Sequence, residues 1–536
     1  MDEQADNAIA AWRQVLGAEA VIADAEELRT YTGAVCGSQR EVPCVLRPGD
    51  ADQVREIVRI ANQFKTPLYP VSRGAQWGMG SRLPVRDGAA IVDLSRLNRI
   101  LEINEEHHYA IVEPGVTQGQ LIDHIAEQGL DLMLNVTGST STTSLIGNAM
   151  DRGVGYFDSR VHGISNMTVV LGNGKTIQTG FGHVEGAKTA NLYPYGIGPS
   201  LDGLFSQGNF GVVVSACIDL MPAPECCMTA VVRIDSAATL GAVIDGMIRL
   251  RKQGIFHTIA HVGNRERSYI LLAPMLYQVM LTEGGTPGPE LRRQAVAMLE
   301  EAGFGPWSAG VGILGTRRQL ALARREIRRT FRGIAKTTFL DDAFIRRAKA
   351  VSGMLAFIPY VKKQRMLLQA IEPTYGFTQG KTTDTCINTV YWPTGDFEHL
   401  DSMDPAQSNS GLMFCLPILP ASGEAVCAVV KEIEATFSRH GFEAAITVNL
   451  MTDKAMEGVV SLAFDRRDAE RSAAAKACIQ EMEAQYMATG YPPYRVGIDS
   501  MHHVLNEDDT FWQTVRDLKQ VLDPNHIIAP GRYNLV

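Results

Sequence analysis

Helices alternating with short strands over residues 50–125, longer helices after residue 225, and glycine-rich loops at strand ends predict an α+β or α/β protein. At 536 residues the chain is too long for one simple core, so at least two domains are expected.

The elements follow in order. Val54, Ile57, Val58, Ala61 and Phe64 fall at helical spacing, with Asp50 or Asp52 as the cap. Pro67-Leu68-Tyr69 then leads into the loop Pro70-Val71-Ser72-Arg73-Gly74-Ala75-Gln76-Trp77-Gly78-Met79-Gly80-Ser81. Strand-like runs come at 90–94 and 109–112, and Glu113-Pro114-Gly115-Val116 is a turn before a helix capped by Thr117. Residues 168–177 read as a hairpin turning at Asn173-Gly174. Met221-Pro222-Ala223-Pro224 breaks structure and marks the exit from a first domain. Beyond it, 237–253 and 467–489 read as helices, and 258–262 and 445–448 as strands. Seven arginines between Arg317 and Arg332 lie opposite Leu320, Ala323, Ile327 and Phe331. That is first a solvated helix face, and otherwise a docking surface for an acidic partner.

Bulk properties exclude several classes. Hydrophobic residues at 45% and charged residues at 20% describe a globular chain, and a net charge of −9 disfavours nucleic acid or an anionic membrane as partner. The start Met1-Asp2-Glu3-Gln4 is acidic and no apolar run is long enough to span a bilayer, so a cytoplasmic location is expected. The nine cysteines contain no C-x-x-C pair, which points to buried thiols and not to disulfides or zinc. His107-His108 and His502-His503 lack a third ligand at a recognisable spacing, so no metal is expected.

Glycines in the 70–81 loop let backbone N–H groups approach a phosphate with no Cβ in the way. Three further segments accompany it: Arg152-Gly153-Val154-Gly155-Tyr156, Phe205-Ser206-Gln207-Gly208-Asn209-Phe210-Gly211-Val212-Val213, and Ile528-Ala529-Pro530-Gly531-Arg532-Tyr533. In order and spacing the four together resemble the FAD-binding domain of the vanillyl-alcohol oxidase and p-cresol methylhydroxylase flavoproteins. The resemblance covers residues 40–225 and 410–536 in detail. It implies an α+β fold: a PCMH-type FAD-binding domain over 1–225, a cap domain with an antiparallel sheet flanked by helices over 226–490, and a returning segment over 491–536. It also implies a homo-oligomer.

The resemblance assigns the cofactor site as well. The Arg73–Ser81 loop and the Ser139–Asn148 segment, with Ser144, Gly147 and Asn148, would supply hydroxyls and N–H groups to the phosphates. Pro114, Gly115, Gly153, Gly155, Gly208 and Val213 match positions lining the nucleotide. Arg532 matches the family's terminal basic residue beside flavin N1 and C2=O. Gln76 stands where a flavin-linking histidine occurs in the wider fold, and Leu412 where the cap histidine of one branch stands. Non-covalent FAD is therefore expected, with Tyr391 open as an alternative link.

In the family a phenol is held as its phenolate by two tyrosines and an arginine before hydride leaves the benzylic carbon for flavin N5. Free phenol ionises near pH 10, so the site must supply charge and short hydrogen bonds. Tyr494 and Arg495 match one tyrosine and the arginine, whereas Met79 replaces the other tyrosine. Asp158, after the Arg-Gly-Val-Gly-Tyr motif, is the candidate acid–base residue, with a turn-capping aspartate as the alternative. The losses at Met79 and Leu412 point away from simple alkylphenols. The resulting expectation is an FAD-dependent oxidoreductase of a phenolic, aromatic or otherwise delocalised small molecule, with O2 as acceptor. The alternatives are a dehydrogenase feeding a cytochrome or quinone, and a flavin-binding scaffold without hydride chemistry.

Overall fold

The computed structural model describes residues 3–355, 357–396 and 402–536; Met1 and Asp2 of the acidic start lie outside them. Helix Ala51–Phe64 forms where its apolar periodicity predicts, and the Asp50 carboxylate accepts from the Gln53 N–H at 2.8 Å as its cap. It packs on a four-stranded sheet in which Val45–Leu46 and Leu68–Val71 run parallel to Ala90–Asp93 on either side. A five-stranded antiparallel sheet follows, with Gly211–Asp219 between Tyr109–Val112 and Ile164–Leu171. The Asn-Gly hairpin joins Ile164–Leu171 to Thr176–Gln178, with Gly174 at φ 84°. Met221–Pro222 differs from its reading as a simple break: the pair forms a short strand on Leu132–Met133.

From Cys226 onward the chain builds an eight-stranded antiparallel sheet. Its order runs Lys336–Leu340, Cys226–Ile234, Trp307–Gly315, Ala260–Asn264, Ala445–Leu450, Ala455–Asp465, Ser410–Cys415, and Ile418–Pro420 also pairs with Ala455–Asp465. Among the described residues, parallel strand pairs are thus confined to the small first sheet, and the fold is α+β, not α/β.

The two faces of the cap sheet have different jobs, and strand alternation assigns them. Ala260, Val262, Ile446, Val448, Leu450, Met456 and Val460 pack under helices Leu240–Lys252, Gly423–Arg439 and Ala469–Thr489. The intervening His261, Gly263, Thr447, Asn449, Glu457 and Val459 face a cavity on the other side.

The end of the described chain returns to the first sheet. The Leu68 N–H donates to the Ile527 carbonyl at 2.6 Å, and the Ala529 N–H to the Leu68 carbonyl at 2.7 Å. Lys519, fully buried, pairs with Asp523 at 2.7 Å and donates to the Ile528 carbonyl at 2.7 Å. Burial lowers the Lys519 ammonium to about 8, with Asp523 opposing that shift. These contacts carry Arg532 into the middle of the molecule.

Candidate functional site

A cavity of about 1450 Å³ runs from the 70–79 loop to the open face of the cap sheet. Drug-sized ligands occupy roughly 300–1,000 Å³, so this space suits a dinucleotide with a second molecule beside it.

One wall is the predicted cradle. Arg73, Gly74, Ala75, Gln76 and Trp77 line it, as do Ser144, Gly147 and Asn148, then Gly153, Gly155, Gly208 and Val213. The backbone at Gly153 and Gly155 presses against the side chains of Asn148 and Asn135, leaving no space for a Cβ. The Ser144 hydroxyl is committed to the backbone: it accepts from Gly147 N–H at 2.9 Å as helix cap and donates to the Pro114 carbonyl at 2.7 Å. Pro114 and Gly115 do not line the cavity; they anchor this turn from behind, with Gly115 tight against the Ser95 and Leu97 carbonyls. Gly78, at φ 80°, is also off the cavity lining and packs against the Phe414 ring. Asn148 Oδ1 is buried without a hydrogen-bond partner. An unsatisfied acceptor of that kind costs about 1–3 kcal/mol, which a bound N–H or O–H group would recover. Close-approach glycines, an orphaned acceptor and a deep, partly apolar cavity together fit FAD.

At the centre lies a residue that the sequence reading passed over. Asp151, buried, accepts from Arg532 Nη2 at 2.7 Å, from Arg495 Nη1 at 3.3 Å, and from Gln76 Nε2. Arg532 Nη1 also donates to Tyr69 Oη at 2.8 Å. Burial works against the charge on Arg532, but Tyr69, Asp151 and Tyr533 outweigh it and hold the guanidinium firmly ionised. Arg495 behaves alike: Tyr494, Asp151, Glu457 and Tyr533 overcome its desolvation.

The opposite wall belongs to the cap. Burial pushes the Tyr494 phenol well above its ordinary range, only partly offset by Arg495, so Tyr494 stays a neutral hydrogen-bonding group. Tyr494 neighbours Glu457, a fully buried carboxyl raised by desolvation and opposed by Tyr494, Asn449 and Arg495. Asn449 Nδ2 donates to Glu457 Oε2 at 3.1 Å, and Asn449 Oδ1 faces His261 Nδ1 at 2.7 Å. The strand register pairs His261 with Asn449 and Asn449 with Glu457, so one polar row crosses three strands. Met79 and Leu412 both line the cavity, and Leu412 clusters with Trp77 and Phe414 as an apolar wall.

Two expectations change here. Asp158 lies off the cavity lining: its side chain is 51% exposed, caps the Ser159 N–H at 2.8 Å and pairs with His162 at 3.1 Å. Burial opposes ionisation of Asp158, but His162 and Ser159 outweigh it and hold the carboxyl low, as in the turn-capping alternative. Tyr391 is fully buried, with its hydroxyl donating to the Ser402 carbonyl at 2.9 Å and its ring off the cavity lining. Asp151 and Glu457 had one sequence signal each: an acid directly after the short segment Leu145–Met150, and a lone acid inside an apolar strand.

Comparisons agree with this geometry. The family profile described as "FAD binding domain" matches residues 42–180. The chain is 34% identical to 1'-carboxy-chondrochloren decarboxylase of Chondromyces crocatus over 536 residues, covering 99% of this chain and 97% of that protein. It is 26% identical to the flavoprotein subunit of the hydroxylating 4-cresol dehydrogenase of Pseudomonas putida, over 98% of this chain and 95% of that one. The chain belongs to the vanillyl-alcohol oxidase/p-cresol methylhydroxylase family. It is an FAD-dependent oxidoreductase. The fold agrees: 4-ethylphenol oxidase from Gulosibacter chungangensis superposes with a TM-score of 0.84 at 24% identity, covering 100% of this chain and 98% of that one. No helix among the described residues is long and apolar enough to cross a membrane.

Proposed function

We propose that this flavoprotein oxidises a phenolic or similarly delocalised small molecule at the carbon attached to its ring, with O2 as acceptor. Residues 1–225 and 491–536 would hold FAD, non-covalently, and residues 226–490 would cover the substrate. The observation that carries the reading is the pairing of ionised Arg495 with neutral Tyr494 and buried Glu457 on one side of the cavity. Bound FAD supplies the hydride acceptor. Arg495 and Tyr494 bind the substrate oxygen, and the guanidinium favours its anionic form. The phenolic proton passes through the Tyr494 hydroxyl to the Glu457 carboxylate, which takes the role expected of Asp158. Asp151 fixes Arg495 and Arg532 relative to each other, and Arg532 supports negative charge on the reduced cofactor. Met79, Leu412, Trp77 and Phe414 keep water from the reacting carbon. Gln76 and Leu412 offer no nucleophile for a flavin link, and Tyr391 is turned to Ser402.

A second reading takes its support from the 34% identical decarboxylase. If the carbon next to the oxidised one bears a carboxylate, loss of hydride leaves a quinone methide. The C–CO2 bond then breaks, CO2 departs, and its electron pair forms the new C=C bond while the ring returns to phenolate. A cytochrome or quinone as acceptor differs only in the reoxidation step, and reoxidation of the reduced enzyme in air distinguishes it. A scaffold without hydride chemistry would leave the Arg495–Tyr494–Glu457 group without a task.

The test is anaerobic mixing of the FAD-loaded enzyme with 4-alkylphenols and ω-(4-hydroxyphenyl)alkanoates, reading flavin bleaching and released CO2. Arg495→Ala should keep FAD yet lose bleaching by about 10³-fold. Unchanged bleaching would remove Arg495 from the reading.

A further inference from the structure

The cap end of the cavity contains a positive charge with no acidic partner among the described residues. Arg267 lines the cavity, Nη1 is buried without a hydrogen-bond partner, and among the described residues no acidic side chain pairs with it. Burial lowers its affinity for the proton, and no nearby carboxylate restores it. A buried cation of this kind costs several kcal/mol unless something neutralises it.

Its neighbours fix where it stands. Gly263 lies two residues after His261 on the same strand face, and a Cβ there would meet Arg267 Cβ and Cγ at 3.7 and 3.5 Å. The Arg267 stem therefore lies alongside the Gly263 backbone on the cavity floor, at ordinary packing distance. His261 stands beside it with Nε2 buried and unpartnered. Burial takes His261 down to about 4, with Arg267 adding to the effect, so the imidazole is neutral and the guanidinium supplies the charge alone. Asn449 Nδ2 donates to Glu457, which turns Oδ1 toward His261 and makes Nδ1 the donor. Nε2 is left as an acceptor.

We infer that Arg267 is a carboxylate-binding subsite of the substrate cavity, with His261 Nε2 accepting from an adjacent O–H or N–H of the same ligand. The inference rests on the proposed function only in taking Tyr494 and Arg495 as the end that holds the reacting ring. Two strand spacings separate Glu457 from His261, about 10 Å, and Gly263 lies a further two residues along. The ligand is therefore elongated, with an anionic ring oxygen at one end and a carboxylate at the other. This geometry accounts for an unpaired guanidinium that a neutral alkylphenol would leave buried and unpaired.

The probes are ω-(4-hydroxyphenyl)alkanoates from propanoate to hexanoate and their primary amides, titrated calorimetrically into the FAD-loaded enzyme without oxygen. At least one acid should bind tenfold or more tighter than its amide. Arg267→Gln should abolish that preference while leaving amide affinity within twofold, and Arg267→Lys should retain part of it. No acid preferred over its amide at any length would overturn the subsite, as would a preference surviving in Arg267→Gln. Equal weakening of acids and amides by Arg267→Gln would also overturn it, since that outcome reads as a disturbed cavity. Carboxylates binding through Arg267 while alkylphenols neither bind nor bleach the flavin would instead sink the phenol reading and leave the subsite standing.

Discussion

The two ends of the cavity treat charge in opposite ways. Around Asp151 the charged groups are in direct contact: one carboxylate takes two guanidiniums and an amide, and Tyr69 takes a further guanidinium N–H. At the cap end Glu457 is buried with its nearest cation already committed to Asp151, and Arg267 has no counter-ion among the described residues. A set of charges already paired is pre-organised and can hold a cofactor through many turnovers. Groups left partly unpaired gain most when a ligand arrives, which is the behaviour of a surface that selects and turns over its substrate.

If that contrast is right, Asp151→Asn breaks the paired end. It leaves two buried guanidiniums facing one another and should cost about 3 kcal/mol of stability. The measurement is the urea midpoint of the FAD-loaded protein, and a midpoint equal to wild type would mean that the arginines do not depend on Asp151.

Glu457→Gln sharpens the other end. Removing the proton acceptor should slow flavin reduction about 10- to 100-fold and flatten its rise with pH. The sign on stability follows from burial. The unfolded carboxyl titrates near 4.3 and the folded one higher, so the folded protein holds the extra proton between the two values. Stability is therefore greatest below that window and falls as pH rises through it. Gln should remove this fall, and urea midpoints at pH 5 and pH 8 check it; an identical pH slope in both proteins would place Glu457 outside the balance. Asp158→Asn is the smallest change. With its side chain half exposed, it should leave flavin reduction within about twofold, and a hundredfold loss would return Asp158 to the acid–base role.

The legible parts of this molecule were local. Helix Ala51–Phe64 announces itself through five apolar positions and a capping aspartate, and the hairpin at Asn173-Gly174 through a turn dipeptide. Tyr494, Arg495 and Arg532 line the cavity, and each sits in a contiguous motif of the sequence. Asp158 follows the Arg-Gly-Val-Gly-Tyr motif yet lies off the cavity lining, because sequence order alone does not say which way a side chain leaves a short loop. Glu457 and Arg267 also line the cavity, but no motif in the sequence marks them. Their meaning depends on which face of the cap sheet they occupy, and that is set by pairing between strands far apart in the chain.

The polar row His261–Asn449–Glu457 has a consequence for folding. His261 and Asn449 are 188 residues apart, yet they meet only if their strands pair in one register. A slip of one residue would drive these polar groups beneath the helices and expose Val262 and Val448 to the cavity. This polar row on the cavity face therefore acts as a proofreading mark on strand alignment, and a misaligned cap would be penalised before any ligand is present. Assembly of the central cap strands is then expected to be a late, slow event, since loop closure over such a span precedes any reward from the pairing.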